Sequence, residues 1–346
     1  MQKRNVVVVM VLMLSLSMRA QDIHFSQFYM SPLTLNPAMT GVMNCNNRFV
    51  ANYRNQWAPV LKSAAYQTYA VSYDHKTPVG QYDYFGFGGA FWGDVAGSLN
   101  FGTVKALGSV AFSKRMIHNK KSNHYLAVGA NAGIAQRRID FHLARWGNQQ
   151  SNGVFDPTID PQENNWDRTN FLFADISAGL LWFSVFKSGS SIYAGAAYDH
   201  LNQPNQSFSE GNFVALQGKY TLHAGGELNI NRQYSILPGV VLLKQGPSFE
   251  TNAGTSVRFL FGPRDAQQSV QFGLWGRVAK HYENGVLLDA AILSTRFDYD
   301  QFGIGFSYDI NTSSLSKAAN GNGSFEFSLI YKICGAENRG VYCPEF

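Results

Sequence analysis

The chain has 346 residues, of which only 15% are charged, while 14% are aromatic and 33 are glycine. An ordinary soluble domain carries about 25% charged residues, so this composition argues against a conventional soluble enzyme. The formal charge of +5 includes Lys3, Arg4 and Arg19 at the N-terminus; taking those three charges away leaves +2, too little for a nucleic-acid-binding surface.

The first element is a targeting segment. Lys3 and Arg4 precede an apolar run at residues 6–16 broken only by Ser15, and Ala20 offers a cleavage position that leaves Gln21 as the mature start. The run is too short to span a bilayer as a helix, and no later stretch of about 18 apolar residues follows. No cysteine stands at the mature start, which argues against a lipid anchor. Residues 1–20 are thus expected to be a signal peptide for a protein bound for the outer membrane. Residues 21–47 show no alternation and carry Pro32 and Pro37, which interrupt regular structure. This segment is expected to lie on the periplasmic side as a plug, in or across the mouth of whatever follows.

From residue 48 onward, large apolar side chains alternate with small or polar ones. Phe302, Ile304, Phe306 and Tyr308 fall on one side of a strand, with Gln301, Gly303, Gly305 and Ser307 on the other. Leu126, Val128, Ala130, Ala132 and Ile134 likewise oppose Tyr125, Ala127, Gly129, Asn131 and Gly133. A wall with hydrocarbon outside and polar packing inside requires this pattern. It recurs at 48–56, 65–74, 82–93, 101–115, 124–136, 170–185, 190–200, 213–229, 232–244, 249–260, 268–280, 285–295, 299–310 and 324–333, which predicts an all-β, antiparallel transmembrane barrel of about 14 strands over 48–333. A soluble sandwich or propeller also alternates, but no blade repeat of about 40 residues is present. The even count is self-consistent: short inner turns fall at 75–81, 186–190 and 230–232, and long outer loops at 137–169, 200–212 and 311–323. A lumen of this size is too wide for strand side chains alone to fill, so it is either plugged or conducting. Residues 334–346 form a periplasmic tail, whose terminal Phe346 suits barrel assembly.

Cys45, Cys334 and Cys343 are not spaced for zinc or for a redox pair. Cys334 and Cys343 can close a small loop; Cys45 can pair with either, because both ends of an even-stranded barrel lie on the same side. Motifs for hydrolases, phosphate loops and dinucleotide sites are absent, so no enzyme activity, cofactor or metal is expected. Asp199 and His200 are neighbours, but adjacent strand residues point to opposite faces, which discounts them as a catalytic pair. His24, His142 and His281 also read as surface or interface histidines. In the 155–167 loop, Asp156, Asp160, Glu163 and Asp167 are hard oxygen ligands, yet their spacing is not that of a calcium loop. The loop reads as a solvated acidic segment in which Phe155 and Trp166 are candidates for partner contact.

Three stretches carry a family resemblance. They are His24-Phe25-Ser26-Gln27-Phe28-Tyr29 with Ser31-Pro32-Leu33 and Leu35-Asn36-Pro37-Ala38, then Asn52-Tyr53-Arg54-Asn55-Gln56-Trp57, and finally Ser307-Tyr308-Asp309 with Asn311-Thr312-Ser313-Ser314-Leu315 and Ser324-Phe325-Glu326. Together they resemble the opening, first-strand and closing-hairpin motifs of the PorP/SprF family of Bacteroidetes. The resemblance implies an outer-membrane barrel of type IX secretion that assists the export or surface attachment of proteins with C-terminal sorting domains, such as gliding adhesins. It implies outer-membrane lipid, secreted adhesin-like proteins and periplasmic ring or peptidoglycan-binding proteins as partners. The candidate motif residues are Phe25, Gln27, Phe28, Tyr29, Asn36, Pro37, Arg54 and Trp57. Arg54 is expected to face the lumen, where it can pair with the N-terminal segment, because a charge at mid-depth is costly on the lipid face. The alternative function is passive transport of small or apolar solutes.

Overall fold

The computed structural model describes residues 22–151, 154–160, 162, 168–262, 268–281, 285–313, 316, 321–335 and 343–344. The predicted signal peptide lies outside the described residues, as do Trp166, Glu163 and Asp167. Alternation produces the barrel strands β1 (Asn47–Gln56), β2 (Tyr66–Val79), β3 (Asp83–Ala96), β4 (Phe101–His118), β5 (Ser122–Arg138), β6 (Asn170–Phe186) and β7 (Ser191–Asp199). They continue as β8 (Lys219–Asn229), β9 (Tyr234–Gln245), β10 (Ser248–Phe261), β11 (Gln268–His281), β12 (Gly285–Tyr299), β13 (Phe302–Asn311) and β14 (Asn322–Ile333). Each strand pairs antiparallel with its sequence neighbour, and β1 pairs with β14 from Asn47↔Ile333 to Gln56↔Ser324, closing the barrel. No helix among the described residues is long and apolar enough to cross a membrane.

The two faces separate as the period requires. On β13, Phe302, Ile304, Phe306 and Tyr308 are exposed on the outer wall while Gly303, Gly305, Ser307 and Asp309 are buried inside. Near the rim that carries the start of β1 and the end of β14, Tyr73, Phe49, Tyr331 and Phe302 form an external aromatic row across four strands, with adjacent ring centroids 4.7, 6.4 and 4.5 Å apart. Such girdles mark the bilayer interface. This terminal rim has only short connections, whereas the opposite loop rim carries 139–169, 200–218 and 312–321.

Two sequence expectations shift. Residues 213–218 do not extend β8, because β7 ends at Asp199 and leaves them no neighbouring strand; they join the loop through a single bridge, Asn205↔Ala215. The small loop Cys334–Cys343 does not form either. The disulfide joins Cys45 to Cys334, which the Asn47↔Ile333 pairing brings together with Cα atoms 4.2 Å apart. Cys343 is buried nearby, its N–H donating to Asn44 Oδ1 at 2.7 Å and its Sγ lying 3.5 Å from the Tyr84 hydroxyl.

Candidate functional site

Residues 22–46 run lengthwise through the lumen, where the sequence alone places the segment only in or across one mouth. Asp22 donates its N–H to Gln245 at the loop rim (2.8 Å), and Asn46 donates its own to Ile333 at the terminal rim (3.1 Å). Prolines restrict this segment to short turns, Pro32–Leu35 and Pro37–Met39. Its apolar side chains are nearly all buried. Phe28 meets the wall residue Trp275 edge-on at 5.6 Å, and Tyr29 stacks on the same indole at 5.3 Å. Burying each such ring is worth about 1.5–3 kcal/mol, so the packing holds the segment firmly.

Polar anchors set its register. The Ser26 and Gln27 N–H groups donate to the Glu326 carboxylate (2.5 and 2.9 Å), and the Ser26 hydroxyl donates to Asp309 (2.8 Å). Arg277 bridges Asp309 (2.7 Å) and Asp289 (2.9 Å), and Arg54 donates to the His24 carbonyl (2.9 Å) while lying 3.3 Å from Glu326. Asp289 is the extra residue of a bulge in the β11–β12 ladder, which turns its carboxylate toward Arg277. Deeper in, Asn36 accepts from the Ala38 N–H (2.9 Å) and donates to the Leu180 carbonyl (3.0 Å). Near the terminal rim, Arg48 pairs with Asp74 (2.7 Å), which also accepts the Gly41 N–H (2.8 Å). Wall glycines make room for this backbone: a Cβ on Gly129 would stand 2.5 Å from the Pro37 carbonyl carbon, and one on Gly86 would stand 2.1 Å from the Thr40 oxygen.

At the loop rim, the leading end is latched by charge. The Asp22 carboxylate lies 2.7 Å from His200 Nε2 and 3.6 Å from Lys219, and His200 Nδ1 lies 2.9 Å from Asp175. Burial alone pulls the His200 imidazole down, but Asp22 and Asp175 outweigh it and push its pKa up to about 9. Burial pushes Asp22 up, yet His200 and Lys219 hold its carboxyl well below the usual carboxylate range. His24 differs: burial, with Arg54 and Arg277 nearby, holds it well below its ordinary value, and its Nε2 lies 3.4 Å from Glu250.

Above the plug opens a vestibule of about 910 Å³, lined by Asp22 and His24 below and by Trp57, Tyr66, Trp92, Phe101 and Phe249 around its sides. Trp57 takes the left-handed conformation (φ 60°) that ends β1, and its ring meets Tyr66 at 5.3 Å. One polar row crosses six strands of this wall through direct neighbours: Glu326, Arg54, Thr68, Asp94, Thr103 and Arg137.

Of the residues singled out from sequence, the lumen gathers Phe25, Gln27, Phe28, Tyr29, Asn36, Pro37 and Arg54, and Trp57 stands at the vestibule. Phe25 packs on Ala70 and Trp92. Phe155 stands apart in the 139–169 loop, with the Arg145 guanidinium 5.2 Å from its ring. Asp156 is occupied locally by the Thr158 N–H and hydroxyl. Sequence reasoning did not single out Asp22 or Arg277, quoted Asp309 and Glu326 only within a motif, and discounted His200. Arg277, Asp309 and Glu326 could have been found as charges at lumen positions of the alternation; His200 could not, because its partners are Asp175 and Asp22 rather than the adjacent Asp199.

Solved structures with similar folds include the Ralstonia pickettii toluene transporter TbuX (11% identity, 88% of this chain and 94% of that one, TM-score 0.48) and the Pseudomonas putida toluene transporter TodX (9%, 87% and 92%, 0.45). CdiB from Acinetobacter baumannii is another (6%, 83% and 60%, TM-score 0.45). No curated protein matches the sequence. The sequence model described as type IX secretion system membrane protein PorP/SprF matches residues 17–331, nearly the whole barrel and its plug, and the chain belongs to that family.

Proposed function

We propose that this protein is a non-catalytic outer-membrane component of type IX secretion that assists the export or surface attachment of proteins with C-terminal sorting domains, gliding adhesins among them. One observation carries this reading: the chain fills its own lumen with residues 22–46 yet leaves an aromatic and charged vestibule open at the loop rim. A filled lumen suits contact with a polypeptide better than free passage of solute. The apolar outer wall would sit in outer-membrane lipid, and the terminal rim would be the face available to periplasmic ring or peptidoglycan-binding proteins. The experiment is affinity purification of the tagged protein from its native membrane in gentle detergent, followed by mass spectrometry. Recovery of a secreted protein with a C-terminal sorting domain, or of secretion-system ring proteins, is the expected result. A barrel recovered alone would turn attention to solute passage, measured as conductance.

A further inference from the structure

The polar row on the vestibule wall is unevenly neutralised. At one end Arg54 pairs with Glu326. At the other, Arg137 is more than nine-tenths buried and has no carboxylate within 4 Å among the described residues. Its Nε donates to Thr103 (3.1 Å), its Nη1 donates to Gln206, and its guanidinium lies 5.6 Å from the Phe101 ring and 5.7 Å from the Phe173 ring. Its Nη2 group has no hydrogen-bond partner among the described residues. Two positions along the row, Asp94 accepts the Thr68 hydroxyl and forms no ion pair among the described residues. Both charges line the vestibule. A buried guanidinium flanked by ring faces and short of an anion is a receptor for one, and Arg favours carboxylates through paired N–H donors.

We infer that Arg137 and Asp94 form a two-charge reader for an extended, mixed-charge peptide segment of the secreted partner, with a carboxylate on Arg137 and an ammonium or guanidinium on Asp94. This rests on the function proposed above and adds the chemistry of the recognised segment. Arg137 and Asp94 lie two strands apart, about 10 Å at the usual strand spacing. An extended chain rises about 3.3 Å per residue, so the complementary charges belong two to four residues apart. The aromatic sides of the vestibule suit the apolar residues between them. Asp94 would repel a polyanion, which favours a peptide over an acidic glycan or lipid headgroup.

The test is fluorescence anisotropy with the full-length protein in detergent. The probes are labelled octapeptides carrying one Lys and one Glu at varied separation, compared with Glu-only and uncharged peptides and with lipopolysaccharide as competitor. Saturable binding of a mixed-charge peptide is expected, weakened at least ten-fold by Arg137→Gln or Asp94→Asn and kept only in part by Arg137→Lys, which retains the charge but not the paired N–H donors. Heat-dependent electrophoretic mobility confirms that each variant is folded. Unchanged binding by Arg137→Gln, no binding by any mixed-charge peptide, or equal competition by lipopolysaccharide would overturn the inference. Co-purification separates it from the broader function: if wild type and Arg137→Gln both recover the same secreted protein, the broader function stands and the reader falls. If wild type recovers none, the broader function fails on its own account.

Discussion

Asp22 lies 2.7 Å from His200, and this contact fastens the leading end of the plug to the wall beside β7. His200 adopts a left-handed backbone (φ 61°), unfavourable for a bulky residue, and two carboxylates hold its ring there. The histidine pKa is raised from 6.5 to about 9, so its contribution is fully present below pH 6.5 and is lost as pH rises through 9. Asp22 is depressed, so its contribution persists above about pH 4 and is lost only as pH falls well into the acid range. Both are in force at neutral pH. A spin label on Ile23→Cys in a Cys343→Ser background should be immobile at pH 7 and become mobile between pH 8 and 10. His200→Gln should give the mobile spectrum already at pH 7; an immobile label there would remove the latch from the account.

Gly129 faces the plug, and a side chain there would strike the Pro37 backbone at 2.5 Å. Gly129→Val should displace residues 36–38 and convert a closed barrel into a conducting one in planar bilayers. Gly108 makes the control, since nothing lies within 4 Å of a Cβ there; Gly108→Val should stay closed.

Asp309 accepts from Arg277, Ser26 and Ser324 within 2.8 Å and lies 3.5 Å from Arg54. Asp309→Asn would remove the carboxylate that Arg277 and Arg54 share, leaving Arg277 with Asp289 and Arg54 with Glu326, so the cost should stay below the about 3–5 kcal/mol of a wholly unpaired buried charge. Protection of the plug from protease should fail at lower urea than in wild type, while the barrel keeps its heat-dependent mobility. A plug as protected as in wild type would show that the apolar packing alone holds it.

The Cys45–Cys334 bond spans a sequence separation of 289. A loop that long implies about 6 kcal/mol in the chain-entropy treatment. The ten-residue β1–β14 ladder, however, already holds these ends together. Replacing both cysteines by serine should therefore cost much less in urea unfolding. Thiol labelling of denatured protein should find one reactive group without reductant, Cys343, and three with it.

The barrel was legible because lipid imposes a single rule on every strand. Leu126, Val128 and Ile134 had to face outward, and the β5 register follows from that. The plug obeys no period. Ser26 meets Asp309 and Glu326 across some 300 residues of chain, and nothing local in the sequence announces such a contact. The disulfide shows the same limit: spacing left several pairings open, and only the Asn47↔Ile333 register selects Cys45 with Cys334.

A segment lying lengthwise inside a closed wall also ties the two ends of the chain together. Phe28, Tyr29 and Met30 share one buried cluster with Trp275, Ile292 and Ile330 from the last third of the chain, so the packing of the plug is complete only when the final strands are in place. The Cys45–Cys334 bridge sits where the plug leaves the lumen and the wall closes, so one covalent bond fastens both the stopper's trailing end and the seam.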